Sequence, residues 1–282
     1  MIQINELTIY ILMKRAFILL LFGWFIYFPA GAIDNLRIPD LRILSLGGGG
    51  VTETPLFNPA ILAARTKSKL YANYYNRYSV SELATVSGGF YYLNDIAPIG
   101  LEITSFGYDE YRESLFRFST GRRIAERWTV GIAVQYALLQ SELFEENSGR
   151  VSADIGLTFR PVENVLTGLS ILHLPSVKVG DKSIENDHIG PYSINFGFNW
   201  EVVNTVLITG SVSNSKDDPV TGSFGMEYMP FDDFKIRAGI SSSPLRPSLG
   251  VGYRITGIDI DAGMVYHSVL GVSMGVGLSF SF

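Results

Sequence analysis

Along the last dozen residues, apolar and small polar positions trade places one by one. Val272, Met274, Val276, Leu278, Phe280 and Phe282 hold one parity; Gly271, Ser273, Gly275, Gly277, Ser279 and Ser281 hold the other. Successive side chains of a β-strand point to opposite faces, so this segment reads as a strand with one fully apolar face. The same alternation runs through Tyr192–Trp200, Val151–Phe159, Trp128–Tyr136 and Ile258–Tyr266. A helical period would not keep such parities over nine or more residues. Reading every such segment predicts fourteen strands. They lie near 69–78, 83–93, 97–107, 113–122, 128–140, 150–160 and 164–174, then 191–200, 204–214, 220–229, 233–243, 247–255, 257–267 and 269–282. The alternation is weakest in the first and fourth, which leaves twelve as the alternative count.

The start of the chain follows a different pattern. Lys14 and Arg15 precede an unbroken apolar run from Ala16 to Phe28, and Ala30-Gly31-Ala32 supplies a small-residue cleavage site. This is the layout of a secretory signal peptide over residues 1–32. Met13-Lys14-Arg15 reads as a complete basic region, so the natural start is either Met1 or Met13. An N-terminal anchor helix is the competing reading, for which the run is short against a span of about 20 residues.

After Ala32 no run of eighteen apolar residues occurs, which excludes a bundle of membrane helices. An exported chain with apolar surface to hide has another route into lipid. A closed β-barrel satisfies its backbone hydrogen bonds between strands. The expected fold is therefore all-β: a transmembrane antiparallel barrel over residues 68–282, preceded by a short plug or hatch segment over 33–67. The even strand number suits such barrels. Placing both termini in the periplasm puts the longest connections, 141–149 and 175–190, outside and the tight ones inside. Tyr91, Tyr92, Trp128, Trp200, Tyr228, Tyr253 and Tyr266 lie near strand ends, where they would form interfacial girdles. Phe280 and the terminal Phe282 read as an insertion signal for the barrel-assembly machinery.

Composition sharpens this picture. Apolar residues make up 47% and charged residues 17%, against a usual charged share of about 25%. The mean hydropathy is +0.22. Disorder is excluded, and a net charge of -5 disfavours nucleic acid. The absence of cysteine removes disulfides, thiolate metal sites and a lipidated N-terminal cysteine.

Residues 33–67 do not alternate. They contain Leu36-x-Ile38-Pro39, Arg42, Ser45-Leu46-Gly47-Gly48, and Asn58-Pro59-Ala60-Ile61-Leu62. The glycine run lacks the surroundings of a phosphate-binding loop and reads more simply as a turn. In that order the elements resemble the N-terminal segment of FadL-like outer-membrane barrels, in particular the PorV/PorQ branch of Bacteroidota. The resemblance implies fourteen strands and a hatch in which Gly47, Gly48, Asn58, Pro59 and Ala60 take part. It also implies partnership with other outer-membrane barrels or lipoproteins. Only Val51–Phe57 separate the glycine turn from Asn58, fewer residues than the family usually has, which implies a smaller plug. Asn58-Pro59-Ala60 would sit inside the barrel as hatch, or would only cap the way into the first strand.

On the inward parity fall Glu102, Arg117, Asp154, Arg160, Glu227, Lys235, Arg237, Arg254, Asp259 and Asp261. Five acids and five bases do not form the one-sign ring of a selective channel. With Gly131, Gly156, Gly197, Gly250, Gly252, Gly275 and Gly277 also inward, a lumen filled by protein is favoured over an open one. The charges would then pair in a network across the plug. Phe106, Tyr71, Tyr75, Tyr91, Leu207 and Val265 share that parity and would line an apolar pocket if one exists, though ordinary lumen packing explains them as well.

Catalysis finds little support. His173, His188 and His267 have no metal spacing, and His267-Ser268 lacks a third orienting residue. Asp181, Glu185, Asp187 and His188 read as a solvated loop rather than a cation site. No cofactor or metal is expected. Two functions fit. The first is a non-enzymatic accessory or scaffold subunit of a type IX-like secretion or barrel-assembly machine in the outer membrane. The second is a FadL-like transporter of a hydrophobic small molecule.

Overall fold

A computed structural model describes residues 35–38, 40–94, 96–142, 147–180, 191–216 and 219–282. The leader over residues 1–32 and the loop residues Asp181, Glu185, Asp187 and His188 lie outside them. The strands are β1 (Lys69–Asn76), β2 (Ala84–Tyr92), β3 (Ile99–Tyr108), β4 (Tyr111–Ala125), β5 (Trp128–Ser141) and β6 (Ser148–Val162). Next come β7 (Val165–Leu172), β8 (Ser176–Gly180), β9 (Ser193–Val203), β10 (Val206–Ser215) and β11 (Thr221–Phe231). The last are β12 (Phe234–Ser241), β13 (Arg246–Ile255), β14 (Ile258–His267) and β15 (Gly271–Ser281). Each pairs antiparallel with its neighbours, and β1 pairs with β15 from Lys69↔Ser281 to Asn76↔Met274. That pairing closes the sheet into a barrel and leaves no free edge at the seam.

The wall has fourteen strands, because β7 and β8 are two halves of one. β7 pairs with the Ile155–Val162 part of β6, and β8 with Ser148–Ser152. The expected outer loop at 175–190 therefore starts too early: residues 176–180 continue the strand. Pro175 explains the break, since it has no N–H to give to a ladder. The backbone adapts with a bulge in which His173 takes φ +59° and both Leu172 and His173 are buried. Leu174 N–H donates to Ala153 O and Ala153 N–H to Pro175 O, which carries the pairing across the gap.

Outward positions are apolar and exposed in nearly every strand, among them Leu101, Ile103, Phe116, Ile132, Phe196, Phe224, Leu249 and Leu278. Soluble proteins do not expose apolar area as a continuous belt. Such a surface belongs against hydrocarbon. Tyr92, Trp128, Trp200, Tyr228, Tyr253 and Tyr266 are all exposed on this outward face, as girdle residues would be. Tyr91 is not among them. Its parity is opposite to that of Tyr92, and it is buried in the interior.

Inside the barrel lie residues 35–38 and 40–66, with two single-turn helices, Leu41–Ser45 and Ile61–Ala64. Asp40 starts the first helix, its carboxylate accepting the Ile43 N–H at 3.1 Å. Gly47 and Gly48 end it with φ +88° and +80°, a conformation that a Cβ disfavours. Leu41, Ile43, Leu46, Leu62 and Ile61 are buried, each worth roughly 1.5–3 kcal/mol against an exposed side chain. The lumen is occupied by this segment.

Candidate functional site

The plug meets the wall where the wall has no side chains. A Cβ on Gly131 would overlap the Pro59 backbone, one on Gly156 the Asn58 amide, and one on Gly250 the Ser45 hydroxyl. Gly225 and Gly239 face each other across β11 and β12, and Leu46-Gly47 lies flat against that pair. Gly275 gives way to Leu41 in the same manner.

Asn58 is fully buried and stitches the plug to β6. Its Nδ2 donates to Leu157 O at 3.1 Å, while its Oδ1 accepts the Ala60 N–H at 3.1 Å and so turns the chain into the helix Ile61–Ala64. Ala60 O in turn accepts from Thr129 Oγ1 at 3.0 Å. Pro59 suits the second position of the turn that Ile61 N–H closes on Asn58 O at 3.0 Å, because its ring fixes φ near the value that position needs.

Two arginine-centred clusters cross the interior. In the first, Arg117 donates from Nη1 to Glu102 Oε2 at 2.5 Å and from Nη2 to Asp154 Oδ2 at 3.1 Å, all three residues being buried. Glu102 Oε1 also accepts from Tyr91 at 2.6 Å and Tyr71 at 3.1 Å. Asp154 Oδ1 accepts the His173 N–H at 2.7 Å, which anchors the broken wall strand to the cluster. His173 Nε2 meets Arg37 of the plug, and its Nδ1 lies 3.2 Å from Pro191 O.

In the second cluster Arg237, 1% exposed, donates to Glu227 at 2.5 Å and Asp261 at 2.6 Å. Arg42 of the plug donates to both Glu227 oxygens at 2.9 and 3.1 Å, and also to Glu53. Glu53 accepts from Asn199 at 2.6 Å. Buried charge is tolerable only when paired in this way. The carboxylates surrounding Arg42 raise its affinity for its proton well above the ordinary value, against the effect of burial.

Lys235, Arg254 and Asp259 form a third group at the rim, with Arg254 bidentate on Asp259 at 2.8 and 3.0 Å. Arg160 joins none of the three groups. It sits at the end of β6, where the register shifts and the strand turns, and donates to Glu163 O at 2.8 Å. That corrects its place in the expected network.

The inward aromatics fall into three surroundings. Tyr71 and Tyr91 serve Glu102, whereas Phe106 packs with Leu36, Leu115, Ala137 and Leu139, flanked by Leu83 and Tyr111. Tyr75 packs with Ile38 and Leu41. Ladder register places the Phe106 patch on the long-loop side of the Arg117 cluster; the wall break at 173–175 lies at the level of that cluster, and Arg37, next to Leu36 of the patch, meets His173 there. An apolar interior patch, a paired charge layer and a break in the wall thus lie together. Sequence reasoning did not single out Arg37, Glu53, Asn199 or His173 as members, since plug contacts have no period. Among the described residues no group of three His, Asp or Glu is arranged to hold a metal.

No protein-family model matches the sequence, and no curated protein matches it. Solved structures do. The CymD monoaromatic hydrocarbon channel superposes with a TM-score of 0.64 at 12% identity, over 89% of this chain and 99% of that one. The barrel shares the fold of this channel. The Ralstonia pickettii toluene transporter TbuX gives 0.61 at 12% identity, over 88% and 98%. A Pseudomonas aeruginosa FadL homologue gives 0.51 at 12%, over 91% and 98%. Identities this low speak for architecture, and the PorV/PorQ branch is not represented among these three.

Proposed function

We propose that this chain is a non-enzymatic outer-membrane barrel, both termini in the periplasm, that passes a small hydrophobic molecule across the membrane. The observation that carries this reading is the apolar patch of Phe106, Leu115, Ala137 and Leu139, held inside a paired lumen and linked through Leu36 and Arg37 to the wall break at His173–Pro175. A polar solute would need water or exchangeable partners along its route, and the lumen charges already hold each other. An apolar solute needs only contact area, worth about 25 cal/mol per Å² removed from water. It would rest where Leu36 now packs and leave sideways through the broken strand. The shared fold of the hydrocarbon channel and the toluene transporter supports the same class, and a monoaromatic hydrocarbon is the substrate to try first.

The test is uptake of radiolabelled toluene by cells of a Gram-negative host that lacks a hydrocarbon transporter of its own and expresses the chain in its outer membrane. Uptake above that of vector-only cells supports the proposal; uptake equal to theirs, with the barrel folded in the outer membrane, refutes it. The secretion-scaffold reading rests on the motif resemblance of residues 36–62. Recovery of partner barrels or lipoproteins with gently solubilised protein would support that reading instead.

A further inference from the structure

Among the described residues, the outward parity of the strands carries only two charged side chains, Arg112 and Arg122, both on β4 and near its opposite ends. Arg112, at the long-loop rim, pairs with Asp109 at 3.1 Å. Arg122, at the short-turn rim, is exposed and forms no ion pair with a described residue. Its outward row is Arg122, Val130 and Leu157. Toward the middle of the barrel the next row is Thr120, Ile132 and Ile155. Toward the rim it is Trp128 and Phe159, whose rings stack at 4.3 Å.

A guanidinium held in an apolar belt cannot stay there uncompensated. It reaches along its own stem toward the headgroup layer, where phosphate is the matching acceptor. The tryptophan beside it marks that layer. Arg127 lies one turn away, exposed, with one Nη donating to Pro161 O at 3.0 Å and the rest of its fork free to face a ligand. Arg123, near the end of β4, is exposed as well but has the inward parity, paired with Thr129. Glu126 and Glu163 are the acids nearby, fewer than the arginines. Elsewhere on this rim the exposed charges include Lys67, Arg254, Glu201, Asp232 and Asp233, spread around the barrel, whereas Arg122, Arg123 and Arg127 stand together at β4–β5.

We propose that Arg122 and Arg127, with the Trp128–Phe159 pair as an apolar floor, bind the phosphate of an anionic glycerophospholipid at the short-turn rim. The fit is one of charge: two guanidinium groups beside aromatic surface suit a headgroup with net negative charge better than a zwitterionic one. This rests on the outward belt facing lipid and not on the identity of any transported molecule.

The experiment uses the full chain in nanodiscs of phosphatidylcholine with a minor share of phosphatidylglycerol, released gently for native mass spectrometry. Wild type should retain phosphatidylglycerol in preference to phosphatidylcholine. Arg122→Gln with Arg127→Gln should reduce that preference by about tenfold, and Arg112→Gln should leave it unchanged. Heat-modifiable gel mobility verifies that each variant is a closed barrel. Should the double variant not fold, wild type in rising salt serves instead, and the preference should fall with ionic strength. Equal retention of both lipids by wild type overturns the proposal, as does an undiminished preference in the double variant. Toluene uptake is read separately, so failure here leaves the transport reading untouched.

Discussion

The side chain of Asn58 occupies the space that any side chain at Gly156 would need. One residue belongs to the plug and the other to the wall, so neither can change alone. Asn58→Ala removes a donor to Leu157 O and the acceptor of the buried Ala60 N–H, leaving that N–H unpaired. The expected cost is about 1–3 kcal/mol of plug docking. Gly156→Leu should push the plug off without opening the barrel, whose ladder hydrogen bonds do not involve it. Limited proteolysis reads both: cleavage within residues 35–66 should accelerate while the barrel stays resistant. A plug equally protected in all three proteins would contradict this account.

The second cluster should tolerate repair better than removal. Arg237→Met leaves Glu227 buried and Asp261 half-buried, each short of a partner, and breaking a buried pair costs about 3–5 kcal/mol. Adding Asp261→Asn should recover part of that loss, since Arg42 still serves Glu227. Denaturant midpoints of the folded barrel in detergent would show the order wild type, double variant, single variant.

Much of the barrel was legible because period two survives in single residues. Val272 through Phe282 show their faces in sequence, and so do the inward Glu102, Arg117 and Asp154, which alternation places correctly without saying whom they meet. What alternation cannot show is a change of phase. At Leu172-His173 two successive side chains are buried, and beyond Pro175 the strand resumes with Val177 outward. Pro175 was the available signal, yet a proline also begins many loops. The plug is harder still. Arg42 and Glu227 are 185 residues apart, and no local propensity links them. The inward glycines did foretell an occupied lumen, because a wall stripped of side chains needs something else to fill it.

Acid should loosen the plug through Asp40. Burial alone would raise this carboxyl, but the Lys69 ammonium at 3.1 Å, Arg42 and the Ile43 N–H outweigh it and hold it below the ordinary carboxylate range. A group depressed in the folded state contributes stability above its unfolded value, near 3.9, and loses it as pH falls through the folded one. Plug proteolysis should therefore accelerate below about pH 4. In Asp40→Asn that part of the acid response should vanish, and an unchanged acid response in the variant would remove Asp40 from the explanation.

The transport reading makes a demand on Ala137. It is nearly buried in the patch with Phe106, Leu115 and Leu139, and no hydrogen bond or ion pair runs through its side chain. A phenylalanine there would fill the space a hydrophobic solute needs, at an overpacking cost of about 1–3 kcal/mol. If that penalty falls on the solute-bound state, toluene uptake should drop by roughly five- to a hundredfold while gel mobility still reports a closed barrel. The opposite change, Leu36→Ala, removes the side chain now packed on the patch and should leave uptake intact or faster. Loss of uptake in Leu36→Ala together with normal uptake in Ala137→Phe would mean that the patch is structural and the route lies elsewhere.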